Sequence, residues 1–202
     1  MSDVLPAFDA RADQHHPIGL IVTDDLQRSR LTVFFRLLLA LPHLIVVLLW
    51  GVLTDLIVIV AWACGVVMGR VPDGLHNFIA TWLRYATRVT AYVFLLSEPF
   101  PPFGASGTYP VDARIDQAEE QSRVTVFFRI VLAIPALLLT YVFRMVNQIV
   151  AFLGWFYCLF TGQMNQGMRD ISAWLLRYET QTWGYVLLLT GSYPSLSGAP
   201  TA

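Results

Sequence analysis

The residues best equipped for chemistry in this chain are arginines that recur in place. Arg36 returns as Arg129 and Arg84 as Arg177, each 93 residues on, and Arg88 lies one helical turn beyond Arg84. The guanidinium group is planar, stays charged and binds phosphate or carboxylate bidentately. The set Arg36, Arg84, Arg88, Arg129 and Arg177 therefore suits a belt against anionic lipid headgroups or acidic groups on a partner, with plain topological anchoring as the alternative. All 13 basic residues are arginine, a bias that GC-rich codon usage also produces. Glu179 stands where the first copy has Ala86, on the apolar side of an amphipathic segment. A carboxylate there is costly unless paired, so it is expected to meet an arginine of the other repeat or of a partner chain.

Other chemistry is sparse. There is no glycine-rich phosphate loop, HExxH, GxSxG or cysteine–histidine cluster at metal spacing. The expectation is a non-enzyme with no catalytic residues, no metal and no cofactor. His43 is the only histidine inside an apolar run, so a haem held by two membrane histidines would lack its second ligand; its expected role is to satisfy carbonyls freed near Pro42. His15 and His16 form a solvated pair, and Cys64 and Cys158 read as packing residues. A net charge of -1 argues against a nucleic-acid partner.

These residues sit in a tandem repeat. Ser29-Arg-Leu-Thr-Val-Phe-Phe-Arg36 reappears as Ser122-Arg-Val-Thr-Val-Phe-Phe-Arg129, and the same shift maps Pro42 onto Pro135, Trp62 onto Trp155 and Gly69 onto Gly162. Fixed-period similarity defines the structural unit. With 56% hydrophobic and 13% charged residues, the chain holds more apolar side chain than one soluble core of this size needs. The surplus points to lipid.

Each unit opens with a short strand-like stretch, at residues 17–22 and 110–115. A first apolar run follows, at 31–50 and 124–143, long enough at 1.5 Å per residue to cross a hydrocarbon core of about 30 Å. Pro42 and Pro135 fall inside these runs and mark helix kinks. A second run spans 52–68 or 145–161, and Gly51 with the polar pairs Thr54-Asp55 and Asn147-Gln148 near its start reads as a turn. Each unit is thus expected to be a transmembrane helical hairpin, 31–68 and 124–161. Trp62 and Trp155 lie too deep for an interfacial belt and should pack between helices.

Segments 74–90 and 167–183 carry polar residues on one side and Trp, Phe and Leu on the other, the pattern of an in-plane interfacial helix. The closing runs Tyr92–Leu96 and Tyr185–Leu189 suit either a helix end or a strand paired with the opening stretch of their own repeat. The expected fold is an all-α integral membrane protein with two tandem repeats and short surface strands. It divides into a polar tail at 1–15, repeat 1 at 16–108, repeat 2 at 109–195 and a tail at 196–202. Twelve arginines flank the hairpins on one face and Arg144 alone sits at the far turn, which places both termini in the cytoplasm of a bacterial inner membrane. An even number of crossings per repeat predicts that the two copies run in the same direction.

The chain resembles a known family at this point. Phe34-Phe-Arg-Leu-Leu-Leu-Ala-Leu-Pro-His43, Trp62, Met68-Gly-Arg-Val-Pro-Asp-Gly-Leu75, Leu83-Arg-Tyr85, Arg88 and Pro99-Phe-Pro-Pro-Phe103 are similar to the uncharacterised bacterial membrane family numbered 4389 among the domains of unknown function. The second copy departs at Ala136 and at 163–166. The resemblance implies a membrane location and assigns no activity. The reading that follows is a non-enzymatic accessory or scaffold subunit, bound to membrane lipids and to a larger membrane protein complex or to itself. The alternative is a small transporter or channel on a pseudo-two-fold repeat.

Overall fold

The structure is a computed structural model that describes residues 16–197. The tail expected at 1–15 and residues 198–202 lie outside the described residues. In chain order the elements are β1 (Ile18–Val22), α1 (Arg30–Met68), α2 (Asp73–Val93), β2 (Val111–Ile115), α3 (Arg123–Phe127), α4 (Arg129–Thr161) and α5 (Gln166–Val186). The repeat is strand, long helix, shorter helix, with the long helix of the second copy split at Phe128.

The expected hairpins are not formed. α1 is one helix of 39 residues, about 58 Å at 1.5 Å per residue. The helix runs straight through the residues read as a turn. Thr54 Oγ1 donates to Trp50 O at 2.9 Å, and Trp82 of α2 donates its indole N–H to Val47 O at 3.1 Å. Gly51 leaves room for that indole, since a Cβ there would stand 3.3 Å from the Trp82 ring. In the second copy the break falls at Phe128, not at Asn147-Gln148. Both long helices end on a glycine in the left-handed region, Gly69 (φ 78°) and Gly162 (φ 75°), whose N–H groups reach Gly65 O and Cys158 O.

α2 and α5 do not lie alone on a surface. Tyr85 meets His43 and Trp50 of α1, and Trp174 and Tyr178 meet Phe143 of α4, at ring separations of 5.1–5.9 Å. The closing runs are helix ends: α2 continues to Val93 and α5 to Val186, after which Leu95 (φ 62°) and Leu188 (φ 65°) turn the chain. The opening strands pair with each other rather than within a repeat. They are antiparallel, with Leu20 opposite Ala113 and Ile18 opposite Ile115.

The repeats also run in opposite directions. Trp155 Nε1 donates to Val33 O at 3.0 Å, and its counterpart Trp62 donates to Val126 O at 3.1 Å. The N–H of Arg28 reaches Gly162 O, and that of Gln121 reaches Gly69 O. The start of α1 therefore lies beside the end of α4, and its end beside α3. With one long helix per unit, the premise of an even number of crossings fails, and the parallel expectation fails with it. The result is three layers: the β1–β2 ribbon, the α2–α5 pair, and the α1–α4 pair.

The α1–α4 layer is inside-out for a water-soluble protein. Its buried stripes contain Arg36, His43, Thr54, Arg129, Thr140 and Asn147, while Leu37, Leu48, Ile59, Ile130, Leu138 and Phe160 stand exposed. Both helices are long and apolar enough to cross a membrane.

Candidate functional site

The repeated arginines turn inward. Arg36 is buried, with Nη1 donating to Tyr92 O (2.6 Å) and Ser97 O (2.9 Å), Nη2 paired with Glu98 (2.9 Å), and its guanidinium 4.4 Å from the Tyr92 ring centroid. Arg129 repeats this design: it donates to Thr190 O and to Gln121 Oε1, and lies 4.1 Å from the Tyr185 ring centroid. Tyr92 and Tyr185 are in the last turns of α2 and α5. Tyr92 O also accepts from Leu95 N–H at 3.1 Å, and Ser97 O and Thr190 O lie just beyond the helix ends, so each buried cation sits at the negative end of a helix dipole.

Arg88 is likewise consumed within the protein. It forms a two-point pair with Asp112 (2.8 and 3.1 Å) and donates to Ser106 O and Gly107 O, tying α2 to β2 and the loop before it. Arg84 donates to Ala113 O at 3.1 Å, and Arg177 to Ser195 O at 3.2 Å. Arg84 alone of the five keeps a substantial exposed fraction. A lipid-facing belt of these five is not the arrangement observed: the wet face of each amphipathic segment packs under the ribbon and loops. Helical periodicity cannot tell such a face from a solvated one.

Sequence reasoning passed over Arg28 and Gln121, which are repeat equivalents. Arg28 pairs with Asp24 (2.5 Å) and donates to Leu95 O, and Gln121 donates to Leu188 O (2.9 Å). Each thus closes the left-handed turn that ends α2 or α5. The Arg-to-Gln exchange hid the equivalence, although both lie at one register of the repeat. Tyr109 braces the same region: its hydroxyl donates to Pro99 O (2.8 Å) and accepts from the Ser97 hydroxyl (2.6 Å). Burial pushes that hydroxyl up to about 12, so it stays neutral.

Glu179 meets an arginine, as its burial demands, but one of its own repeat: Arg144 Nη1 lies 2.6 Å from Oε1. The pair borders a cavity of about 210 Å³ between the two repeats. Leu44, Val47 and Trp82 line one side, Arg144, Glu179 and Trp183 the other, and Thr87 and Thr180 lie between them. A second, more apolar cavity of about 470 Å³ runs between Arg36 and Leu37 of α1 and Gln148, Phe152 and Trp155 of α4. Asp55 is exposed at mid-length of α1.

His43 does not serve a carbonyl near Pro42. Its Nδ1 bonds Tyr85 Oη at 2.7 Å, and its ring lies 4.4 Å from Phe100 and 4.5 Å from Phe103. α1 and α4 continue as helix through Pro42 and Pro135. Among the described residues no group of three or more His, Cys, Asp or Glu side chains is placed to hold a metal ion.

No curated protein and no solved structure matches the chain. The model of the domain of unknown function DUF4389 matches it twice, over residues 30–105 and 123–197. Those two spans coincide with the two helical units and their closing loops, and the chain belongs to the DUF4389 family as a tandem pair of its domains.

Proposed function

We propose that the protein is a non-enzymatic accessory or scaffold subunit of the bacterial inner membrane, seated in lipid by its α1–α4 layer and bound there to a larger membrane protein. The supporting observation is Asp55. It is exposed among Leu53, Leu56 and Ile59 on the outer side of α1 and, among the described residues, meets no ion-pair or hydrogen-bond partner. A carboxylate on an apolar surface is costly in lipid, and a cationic or donor group of a partner relieves that cost. The buried arginines add weight, because side chains that sequence alone marks as reactive are spent on carbonyls inside the fold.

The ribbon side of the molecule faces the cytoplasm in this reading. Gln181 holds both ends of the described chain there, donating to Ile18 O at 2.9 Å and accepting from Ser195 N–H at 3.0 Å. The arginine-rich flanks agree with that side. Purification from native membranes in mild detergent tests the proposal. A stoichiometric larger partner, lost in Asp55→Asn and retained in Leu53→Ala, is the expected result. A homogeneous oligomer of this chain alone, unchanged by Asp55→Asn, overturns it in favour of the transporter alternative.

A further inference from the structure

We infer that the cavity between the repeats binds a single-chain anionic amphiphile, its acid group on Arg144 and its chain along Trp82, Leu44 and Val47. The cavity sits where the two-fold relation between repeats is broken by charge. At the positions of Arg144 and Glu179 the first repeat has Gly51 and Ala86, so one wall is apolar and the opposite wall carries the ion pair. Thr87 and Thr180 are spent: each hydroxyl donates to a carbonyl of its own helix at 2.8 Å. An ion pair at mid-helix in an apolar layer adds little stability over a well-packed apolar pair, and an ionisable residue at such a depth marks a ligand site.

The exposure of the two partners fixes the sign of the ligand. Glu179 is 8% exposed at its side chain and already engaged by Arg144, whereas the Arg144 side chain is 49% exposed. Nη1 serves Glu179, and the remaining N–H donors of the guanidinium fork suit a carboxylate or phosphate monoester. Arg144 and Glu179 are the charged groups lining the cavity. An incoming anion gathers excess negative charge beside Glu179, so ligand binding and protonation of Glu179 favour one another. Burial already pushes that carboxyl up from its ordinary value, with Arg144 opposing.

This inference rests on the α1–α4 layer lying in lipid. The test uses the full chain in phosphatidylcholine vesicles with a diazirine-bearing dodecanoate, photocrosslinked and mapped by peptide mass spectrometry. Crosslinks are expected in the peptides holding Leu44–Val47 and Trp82, competed by dodecanoate and by dodecyl phosphate, and not by dodecylamine. Competition by phosphatidylglycerol as strong as that by dodecanoate identifies a two-chain lipid as the occupant and overturns the single-chain assignment; competition by the single-chain acids alone supports it. Arg144→Gln should weaken labelling about tenfold or more, as loss of a charge-assisted contact requires. Glu179→Gln should strengthen it at neutral pH, and Ala86→Leu should reduce it by filling the apolar wall without touching either charge.

Labelling that dodecylamine competes, or that survives both Arg144→Gln and Ala86→Leu, overturns the assignment. If Arg144→Gln does not fold, Glu179→Gln and Ala86→Leu decide the matter alone. Release of the protein from vesicles by alkaline carbonate is a separate outcome, which defeats the lipid-seated reading. A protein that stays in the vesicles and takes no label defeats only the site.

Discussion

Thr87 and Thr180, 93 residues apart and equivalent in the repeat, face each other with their hydroxyl oxygens 3.5 Å apart. A residue can meet its own repeat equivalent only beside the axis that exchanges the two copies. Leu20 opposite Ala113 in the ribbon is a second such pair, so the axis runs from the ribbon through the α2–α5 pair. A double variant Thr87→Cys/Thr180→Cys, in a background where Cys64 and Cys158 are serine, is therefore expected to form an intramolecular disulfide on mild oxidation. Intact-mass measurement before and after thiol alkylation checks it; two free thiols in the folded protein would contradict the axis.

The inward arginines are expected to act as structural clamps. Arg36→Ala removes the hydrogen bonds to Tyr92 O and Ser97 O, the former still accepting from Leu95 N–H, at about 1.5–3 kcal/mol for each lost charged hydrogen bond. Arg36→Lys keeps the charge but loses the fork and the stacking on Tyr92, and should recover only part of that loss. Arg129→Lys should behave alike. Chemical unfolding in detergent measures both. Full rescue by lysine at the two sites would favour anchoring at a membrane surface.

Gly184 of α5 lies against Ile18 so closely that an added Cβ would collide with the Ile18 Cδ1 atom. Its repeat counterpart is Ala91, which already carries a Cβ. Gly184→Ala should cost about 1–3 kcal/mol through overpacking, and Ile18→Val in the same chain, which deletes the colliding carbon, should return most of it. Thermal unfolding of the two single variants and the double variant gives the coupling directly. Additive effects would show that β1 does not bear on α5.

Glu179 sets the sign of one pH response. Its carboxyl is raised by burial, so the folded chain binds a proton at pH values where the unfolded chain has already released it. Stability then increases as pH falls through the raised value towards the ordinary carboxylate range, and decreases as pH rises through it. Glu179→Gln should flatten that part of the profile, read as the midpoint of thermal unfolding against pH. A slope of the opposite sign, or one unchanged in the variant, would show that the Arg144 pairing outweighs burial.

The sequence by itself determined the unit and its local form. A 93-residue identity of register, apolar runs of helical length, and glycines at 69 and 162 follow from side-chain chemistry along the chain, and the helices obey them. The tertiary structure decided everything that depends on what lies opposite. A period specifies a repeated unit and not the operation relating its copies, so the antiparallel course of α1 and α4 had no linear signal. Thr54 and Asp55 look like a turn when considered alone, because nothing in a linear chain shows the Trp82 indole packed against Gly51. The arginines carry the same ambiguity: a guanidinium is satisfied equally by lipid phosphate and by backbone carbonyls at and just beyond a helix C-terminus. The choice between them fell to Tyr92, Ser97 and Thr190, placed within reach of Arg36 and Arg129 by the return of α2 and α5 along the long helices.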